Sequence, residues 1–92
     1  MSQIRIQYPH SMSHEALKTE IDALADELRQ TYGAQCRWVD DRSAQVQAPG
    51  VKGKIRFDDR EILIEVKLGM MMAMLKGTIE SDIRSSLTKR VS

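Results

Sequence analysis

Cysteine is nearly absent from this sequence of 92 residues. The single Cys36 excludes a disulfide framework, and it excludes a zinc site built from cysteines of one chain. A long hydrophobic run is also missing, because the longest one, at residues 68–75, is far shorter than the ~20 residues that span a bilayer. Since the first residues lack the apolar segment of a secretory signal, we expect a cytoplasmic protein without a transmembrane segment.

An excess of either charge sign is missing as well. The chain has 14 Lys and Arg against 13 Asp and Glu, which gives a net charge of +1. This balance excludes an acidic tail, and it excludes a protein that attracts polyanions through its overall charge. Apolar residues at 41% and charged residues at 29% are typical of globular proteins rather than disordered or fibrous ones. We therefore expect one domain over residues 1–92.

The N-terminal third of the sequence predicts a strand followed by a long helix. Apolar and polar residues alternate at positions 3–8, which is typical of a half-buried strand. A helix can begin at Ser11 or Ser13, since either hydroxyl can accept backbone N–H groups. Apolar residues then recur every three or four positions, and Gly33 stands where helices usually end. These signals predict a helix over residues 13–32.

The rest of the chain predicts four short strands and a second helix. Between residues 35 and 68 the apolar period is two, and turn residues at 40–42, at 49–50 and at 58–60 divide this stretch. Short connections between alternating strands are typical of an antiparallel meander. A helical apolar stripe then predicts a helix over residues 70–91.

The element order β-α-β-β-β-β-α predicts an α+β fold. Each helix has one long apolar stripe, so both helices must cover the single apolar face of a five-stranded, mainly antiparallel sheet. The result is a two-layer sandwich with the first strand beside either the last strand or the second. In this arrangement Leu24, Trp38, Ile64 and Ile79 should all be buried.

Few residues could support catalysis. His10 and His14 lie near serines, but a nucleophile and its base also need an orienting carboxylate and an oxyanion site, which the local sequence does not supply. A metal site that adds Glu15 to the two histidines would need further ligands. Cys36 shares a strand face with Trp38 and is interpreted as a small core residue. We therefore predict a protein that is not an enzyme, with no catalytic residue, no cofactor and no metal.

The outward face of the predicted sheet is basic. Such a face can bind phosphates, but sheets that read RNA also stack bases on outward aromatic residues, and the aromatic strand residues here fall on the inward face. A solvated surface is the simpler interpretation, and nucleic acid is not favoured as a partner. The predicted basic face comprises Arg5, Arg37, Lys52, Lys54, Arg56 and Lys67.

Methionines cluster between the last strand and the second helix. On helical positions Met72 and Leu75 join the core stripe, whereas several neighbours fall on the opposite side. A helix that covers one sheet has no intramolecular reason for a second stripe of methionine and small residues, and methionine suits adaptable contacts. We predict an interface, in a homodimer or with another partner, formed by Met70, Met71, Ala73, Met74 and Gly77.

Several short motifs recur together, in the same order, in one small family. They are Ile4-x-Ile6, Pro9-His10-Ser11, Tyr32-Gly33, Trp38, Gly50-Val51-x-Gly53, Ile64-x-Val66-Lys67-Leu68-Gly69 and Leu75-Lys76-Gly77-x-Ile79-Glu80-x-x-Ile83-Arg84-x-x-Leu87. On these motifs the sequence resembles the polyhydroxyalkanoic acid system proteins, short bacterial proteins associated with polyhydroxyalkanoate synthesis and granules. The resemblance runs nearly end to end and implies a biological setting, with no catalytic residues to carry over.

These observations lead to one functional expectation and two alternatives. We expect a non-enzymatic accessory or regulatory protein of polyhydroxyalkanoate metabolism, cytoplasmic and granule-associated. It would act by contact with a second copy, with granule-associated proteins or with the polymer surface. The alternatives are a nucleic-acid-binding regulator that uses the basic face, and a small hydrophobic-ligand binder with its pocket between helices and sheet.

Overall fold

Five strands and two helices form in the order that the sequence predicts. The structure is a computed structural model and describes residues 2–91. Its elements are β1 (Ser2–Pro9), α1 (His14–Tyr32), β2 (Gln35–Asp40), β3 (Ser43–Ala48), β4 (Val51–Phe57), β5 (Glu61–Leu68) and α2 (Lys76–Arg90). A single 3₁₀ turn, Ala73–Leu75, precedes α2.

The strands form one sheet in the order β1-β5-β4-β3-β2, and every neighbouring pair is antiparallel. β1 therefore lies beside the last strand, which is one of the two positions that the sequence allows. Both helices lie on the same face, α1 nearer β2 and α2 nearer β1. The predicted two-layer α+β sandwich is confirmed.

The core lies between the sheet and the helices, as the strand register requires. Ile6, Ile64 and Ile55 oppose one another on three adjacent strands and are 0%, 2% and 2% exposed. Leu24 of α1 and Ile79 of α2 are buried too, as predicted. Burial of each such side chain contributes about 1.5–3 kcal/mol, so these few residues supply much of the driving force for folding.

Trp38 differs from the prediction, because it is half-buried rather than buried. Its ring lies on the helix side of the sheet, where it packs against Phe57 with the ring centroids 6.3 Å apart. However, β2 is an edge strand, so one side of the ring has no neighbouring strand. The indole N–H donates to the Asp22 carboxylate, and the Lys18 ammonium lies 5.1 Å from the ring centroid. An edge position suits a ring whose N–H needs a polar partner.

α1 begins and ends at the residues that the sequence predicts. The Ser13 hydroxyl accepts from the Ala16 N–H at 3.3 Å, so Ser13 rather than Ser11 is the N-cap. Gly33 has a φ of 69°, in the left-handed region, and its N–H donates to the Arg29 carbonyl at 2.9 Å. Both caps satisfy backbone groups that the helix itself leaves without partners.

α2 begins later than the sequence predicts, and this is a correction. The predicted helix over residues 70–91 begins at Lys76, because residues 70–72 form a turn. The Gly69 N–H donates to the Gly50 carbonyl at 2.8 Å, and the Gly69 carbonyl accepts from Met72 and Ala73 at 3.0 Å each. These bonds hold the chain in a tight turn as it passes from the sheet layer to the helix layer. Consequently Leu75, predicted to be in the core, is 43% exposed.

Polar contacts join the two helices along their exposed edge. Arg90 of α2 pairs with Glu20 at 3.5 Å and also with Glu27, whose carboxylate accepts from the Ser86 hydroxyl at 2.7 Å. The Arg90 guanidinium and, less strongly, the Ser86 hydroxyl hold the pKa of Glu27 below its usual value. Because these partners lie on different helices, they fix how α1 and α2 sit relative to each other.

Tyr32 of α1 also contacts α2, and the titration of its hydroxyl reports that contact. Its hydroxyl donates to the Asp82 carboxylate at 2.6 Å. Burial first, and the bond to Asp82 second, raise the pKa of Tyr32 from 10.0 to about 12. Since the folded state favours the neutral phenol, this contribution to stability is present below pH 10 and is lost as the pH rises toward 12.

We expect the substitution Asp82→Asn to lower the pKa of Tyr32, because it removes the negative charge that opposes ionisation. The fall should stop short of the ordinary value, since burial remains. Tyrosinate absorbance measured in a Tyr8→Phe background reports Tyr32 alone. The substitution Asp59→Asn removes the same charge from the distant β4–β5 turn and is the control. Equal titration curves for the two variants would contradict the contact.

Candidate interaction surfaces

The first candidate surface is the segment between β5 and α2, residues 70–75, which we name the methionine turn. Met70, Met71 and Met74 are 87%, 90% and 90% exposed, which makes them the most exposed large apolar side chains in residues 2–91. Ala73 is half-buried, and a Cβ at Gly77 would meet nothing within 4 Å. The structure thus brings the predicted interface residues to one end of the molecule.

The shape of this surface differs from the prediction. Met70, Met74 and Gly77 were expected on one line along a helix, but residues 70–72 are not helical, so that stripe is wrong as a geometric description. Met71 is as exposed as Met74. The methionines therefore project from a turn and a short 3₁₀ segment, so their spacing is not that of an α-helix.

The methionine turn is fixed to the rest of the fold from beneath. Met72 is half-buried and packs against the core, and its Cγ lies 3.0 Å from where a Cβ of Gly50 would be. Gly50 belongs to the turn between β3 and β4, and its carbonyl accepts the Gly69 N–H. The exposed methionines are therefore anchored, through Met72 and Gly69, to the turn that joins β3 and β4.

The second candidate surface is the sheet face opposite the helices, and all six residues of the predicted basic face are exposed on it. Lys52 and Lys67 are direct cross-strand neighbours, and Arg5 and Lys54 flank Glu65. Arg56 pairs with Glu65 at 3.8 Å. The alternation of period two therefore placed these side chains correctly.

The same face carries glutamines that the sequence analysis did not single out. Five of the six glutamines of the chain point outward from the sheet and are exposed: Gln3, Gln7, Gln35, Gln45 and Gln47. They alternate with apolar residues as the basic residues do, so the same signal could have found them. Their amides interleave the cations with neutral donors and acceptors.

The two histidines and the cysteine occupy separate positions and do not form one cluster. His10 is 9% exposed, its Nε2–H donates to the Asp58 carbonyl at 2.6 Å, and its Nδ1 accepts from the Met12 N–H at 3.1 Å. The His14 ring lies 5.2 Å from the Phe57 ring. Burial, and then the charge of Asp22, raise the pKa of the Cys36 thiol. Within residues 2–91 no group of His, Cys, Asp and Glu side chains could hold a metal ion.

A small apolar cavity lies between the helices and the sheet. Its volume is about 40 Å³, and its walls include Leu28, Tyr32, Val46, Gly53 and Ile83. That volume exceeds the ~10–15 Å³ needed for one water, but it is far below the ~150 Å³ of a cavity that binds benzene. The cavity is a gap in the core packing next to small residues of the sheet, such as Ala48 and Gly53.

In the part of the chain that the structure describes, neither helix has the length and apolar content needed to cross a membrane.

Comparison with known proteins assigns the chain to a family. A family model matches residues 4–91, nearly the whole chain. No curated protein and no solved structure was found to match. The matched region contains the methionine turn, all six residues of the basic face, and every strand and helix except the first two residues of β1. The chain belongs to the family described as "Putative polyhydroxyalkanoic acid system protein".

Proposed function

We propose that this protein is a non-enzymatic accessory protein of polyhydroxyalkanoate metabolism that acts in the cytoplasm of bacteria. Its methionine turn docks on the hydrophobic surface of polyhydroxyalkanoate granules. The observation that carries the proposal is the exposure of Met70, Met71 and Met74 on a turn tied to the sheet. Family membership supplies the metabolic setting.

The physical argument rests on apolar area and on side-chain adaptability. Burial of an exposed methionine contributes about 1.5–3 kcal/mol, and three such side chains project from six residues. Association offsets part of this gain, because it restricts translation, rotation and side-chain rotamers. Methionine is flexible and polarisable, so it can follow an irregular surface that has no fixed pockets. A polymer surface is of this kind.

The surroundings of His10 and Cys36 support a role without catalysis. Both ring nitrogens of His10 are engaged by backbone groups, so the ring links the β1–α1 connection to the β4–β5 turn. A raised thiol pKa at Cys36 disfavours the thiolate, which is the reactive form. These side chains therefore have structural explanations.

The test replaces two methionines with charged residues. We expect Met70→Glu with Met74→Glu to reduce granule co-fractionation at least ~10-fold, because each carboxylate would have to leave water to reach an apolar surface. Thermal unfolding should be unchanged, since both side chains are about nine-tenths exposed. The substitutions are made in the full chain and measured on granules isolated from accumulating cells.

Two controls give the test its specificity. Thr78→Glu with Ser81→Glu adds the same charge at exposed positions of α2, and we expect it to leave granule binding intact. Met70→Leu with Met74→Leu keeps the apolar surface and should bind as well as the native chain.

Sedimentation separates granule docking from a homodimer. Unchanged co-fractionation of the double glutamate variant would reject docking through the methionine turn. If that variant became monomeric while the native chain is dimeric, and granule binding stayed the same, the turn would be a homodimer interface instead.

A further inference from the structure

The positive and negative charges of this molecule are nearly equal in number, but they lie on different parts of its surface. The outer sheet face carries six Lys and Arg against two acids, Glu61 and Glu65, although the chain as a whole has a net charge of +1. The compensating acids lie on the helices and in the turns. A partner that meets only the outer face therefore meets a surface of strongly positive charge.

Most acids of the helical layer already have partners within the chain. Glu20 and Glu27 pair with Arg90, Asp26 pairs with Arg29, and Glu80 pairs with Arg84. Asp22 and Asp82 accept from Trp38 and Tyr32. These contacts reduce the negative field of the helices.

The basic residues of the outer face have much less compensation. Arg56 pairs with Glu65 at 3.8 Å, but among the described residues no ion pair joins the other five, Arg5, Arg37, Lys52, Lys54 and Lys67, to a carboxylate. Lys52 and Lys67 are direct cross-strand neighbours, an arrangement that costs stability in an isolated sheet. A bound anion would remove that repulsion.

The neutral residues of this face are also unusual for an exposed sheet. Strand positions generally favour β-branched and aromatic residues, yet here they are filled by five glutamines. Glutamine amides donate and accept hydrogen bonds at the end of a long side chain. The outer face therefore carries mainly long side chains that donate hydrogen bonds, and its apolar residues include Leu63, Pro9 and, near its edge, Val39.

The sequence alone did not favour nucleic acid as a partner, but from the charge and composition of the outer sheet face we propose that it binds the phosphate backbone of double-stranded nucleic acid without preference for base sequence. Several Lys and Arg with interleaved amides are the groups that contact phosphates. This inference goes beyond granule docking, because it uses a different surface and a different interaction.

The composition of the face favours this partner over others. The centres of protein interfaces are enriched in aromatic residues and depleted in Lys, whereas this face, over the residues that the structure describes, has Lys and no aromatic residue. Single-stranded nucleic acid is held largely by stacking on aromatic side chains, which the face also lacks. Its cations lie on four of the five strands, a width of roughly 15–20 Å at ~4.8 Å per strand, so they are spread over an area rather than along one line. A duplex, with two backbones, presents phosphates over an area in the same way.

The experiment measures anisotropy of a fluorescently labelled random-sequence DNA duplex with the native chain. We expect binding whose affinity falls about 100-fold between about 50 and 200 mM salt, because about four phosphate contacts release their counterions. Lys52→Gln with Lys54→Gln should weaken binding at least ~10-fold at the lower salt concentration and reduce the salt slope by about two. Glutamine at these positions matches the rest of the face, so the fold should be retained.

The control changes the net charge equally in another place. Lys76→Gln with Lys89→Gln removes two exposed charges from α2, and its binding should stay within about twofold of native. Equal losses in the two double variants would attribute binding to overall charge and overturn the proposal, as would no detectable binding by the native chain. Competition by polyglutamate as effective as unlabelled duplex at equal charge would also overturn it, in favour of an acidic protein partner.

Discussion

Replacing Ile64 with alanine is expected to lower the free energy of unfolding by about 3–4 kcal/mol. Ile64 is 2% exposed on β5, which lies between β1 and β4, and its cross-strand neighbours are Ile6 and Ile55. Loss of a buried isoleucine side chain combines lost transfer energy with an added cavity, here next to a gap that already exists. Domains of this size have a total stability of about 5–15 kcal/mol, so the loss is a large part of it. Urea unfolding followed by circular dichroism measures the change.

The neighbouring residue provides the control for this substitution. Leu63 points to the outer face and is half-buried, so Leu63→Ala should cost about 1 kcal/mol or less. Both variants lose the same number of carbon atoms from the same strand. Equal destabilisation by the two would show that the sheet does not bury the face that the register assigns to the core.

Replacing Gly50 with alanine is expected to destabilise the protein by about 2 kcal/mol. Its φ of 76° lies in the left-handed region, which costs an L-residue roughly 1–2 kcal/mol. The new Cβ would also lie 3.0 Å from the Cγ of Met72, so that side chain would have to move. Because Met72 underlies the methionine turn, the substitution should loosen the turn as well. Chemical unfolding gives the free energy, and hydrogen exchange at the Gly69 amide reports the turn.

Alanine at Gly53 should have the opposite effect. This residue has no positive φ, and a Cβ there would meet Val46 and Val66 at ordinary contact distances of 3.5 and 3.6 Å. The methyl group would point into the apolar cavity, so we expect a gain of about 0.5–1 kcal/mol from the reduced freedom of the unfolded chain and from better packing. A change of stability in the same direction for both variants would contradict either the positive φ of Gly50 or the free space beside Gly53.

Local pattern was enough to predict most of the fold. The alternation in each strand fixed which side chains face the helices, because a shift of one residue would invert every one of them. Serine and glycine signals located both ends of α1. The neighbour of β1 remained ambiguous, since local sequence does not encode which distant strand completes a sheet.

The errors share a physical origin in contacts between distant residues. An apolar run with helical spacing predicted that α2 begins at residue 70, but residues 70–72 form a turn next to the Gly69–Gly50 hydrogen bond. Burial of Trp38 was overestimated because edge position depends on strand order. The partner of Glu27 was also not predicted, since Arg90 lies 63 residues later in the chain, whereas the strand alternation had already predicted the basic outer face. Composition reports only the sum of these charges.

The strand order also determines when each part of the sheet can assemble. β2 to β5 are joined by short turns, so each can pair with its predecessor as soon as both exist. β1 pairs only with β5, and the Pro9–Glu61 pair closes a loop of roughly fifty residues. Closing a long loop costs little more than closing a short one, so the consequence is delay rather than instability. During synthesis Ile4 and Ile6 leave the ribosome before β5, yet they find their neighbours only after β5 has emerged. The first strand of the chain is thus the last to join the sheet.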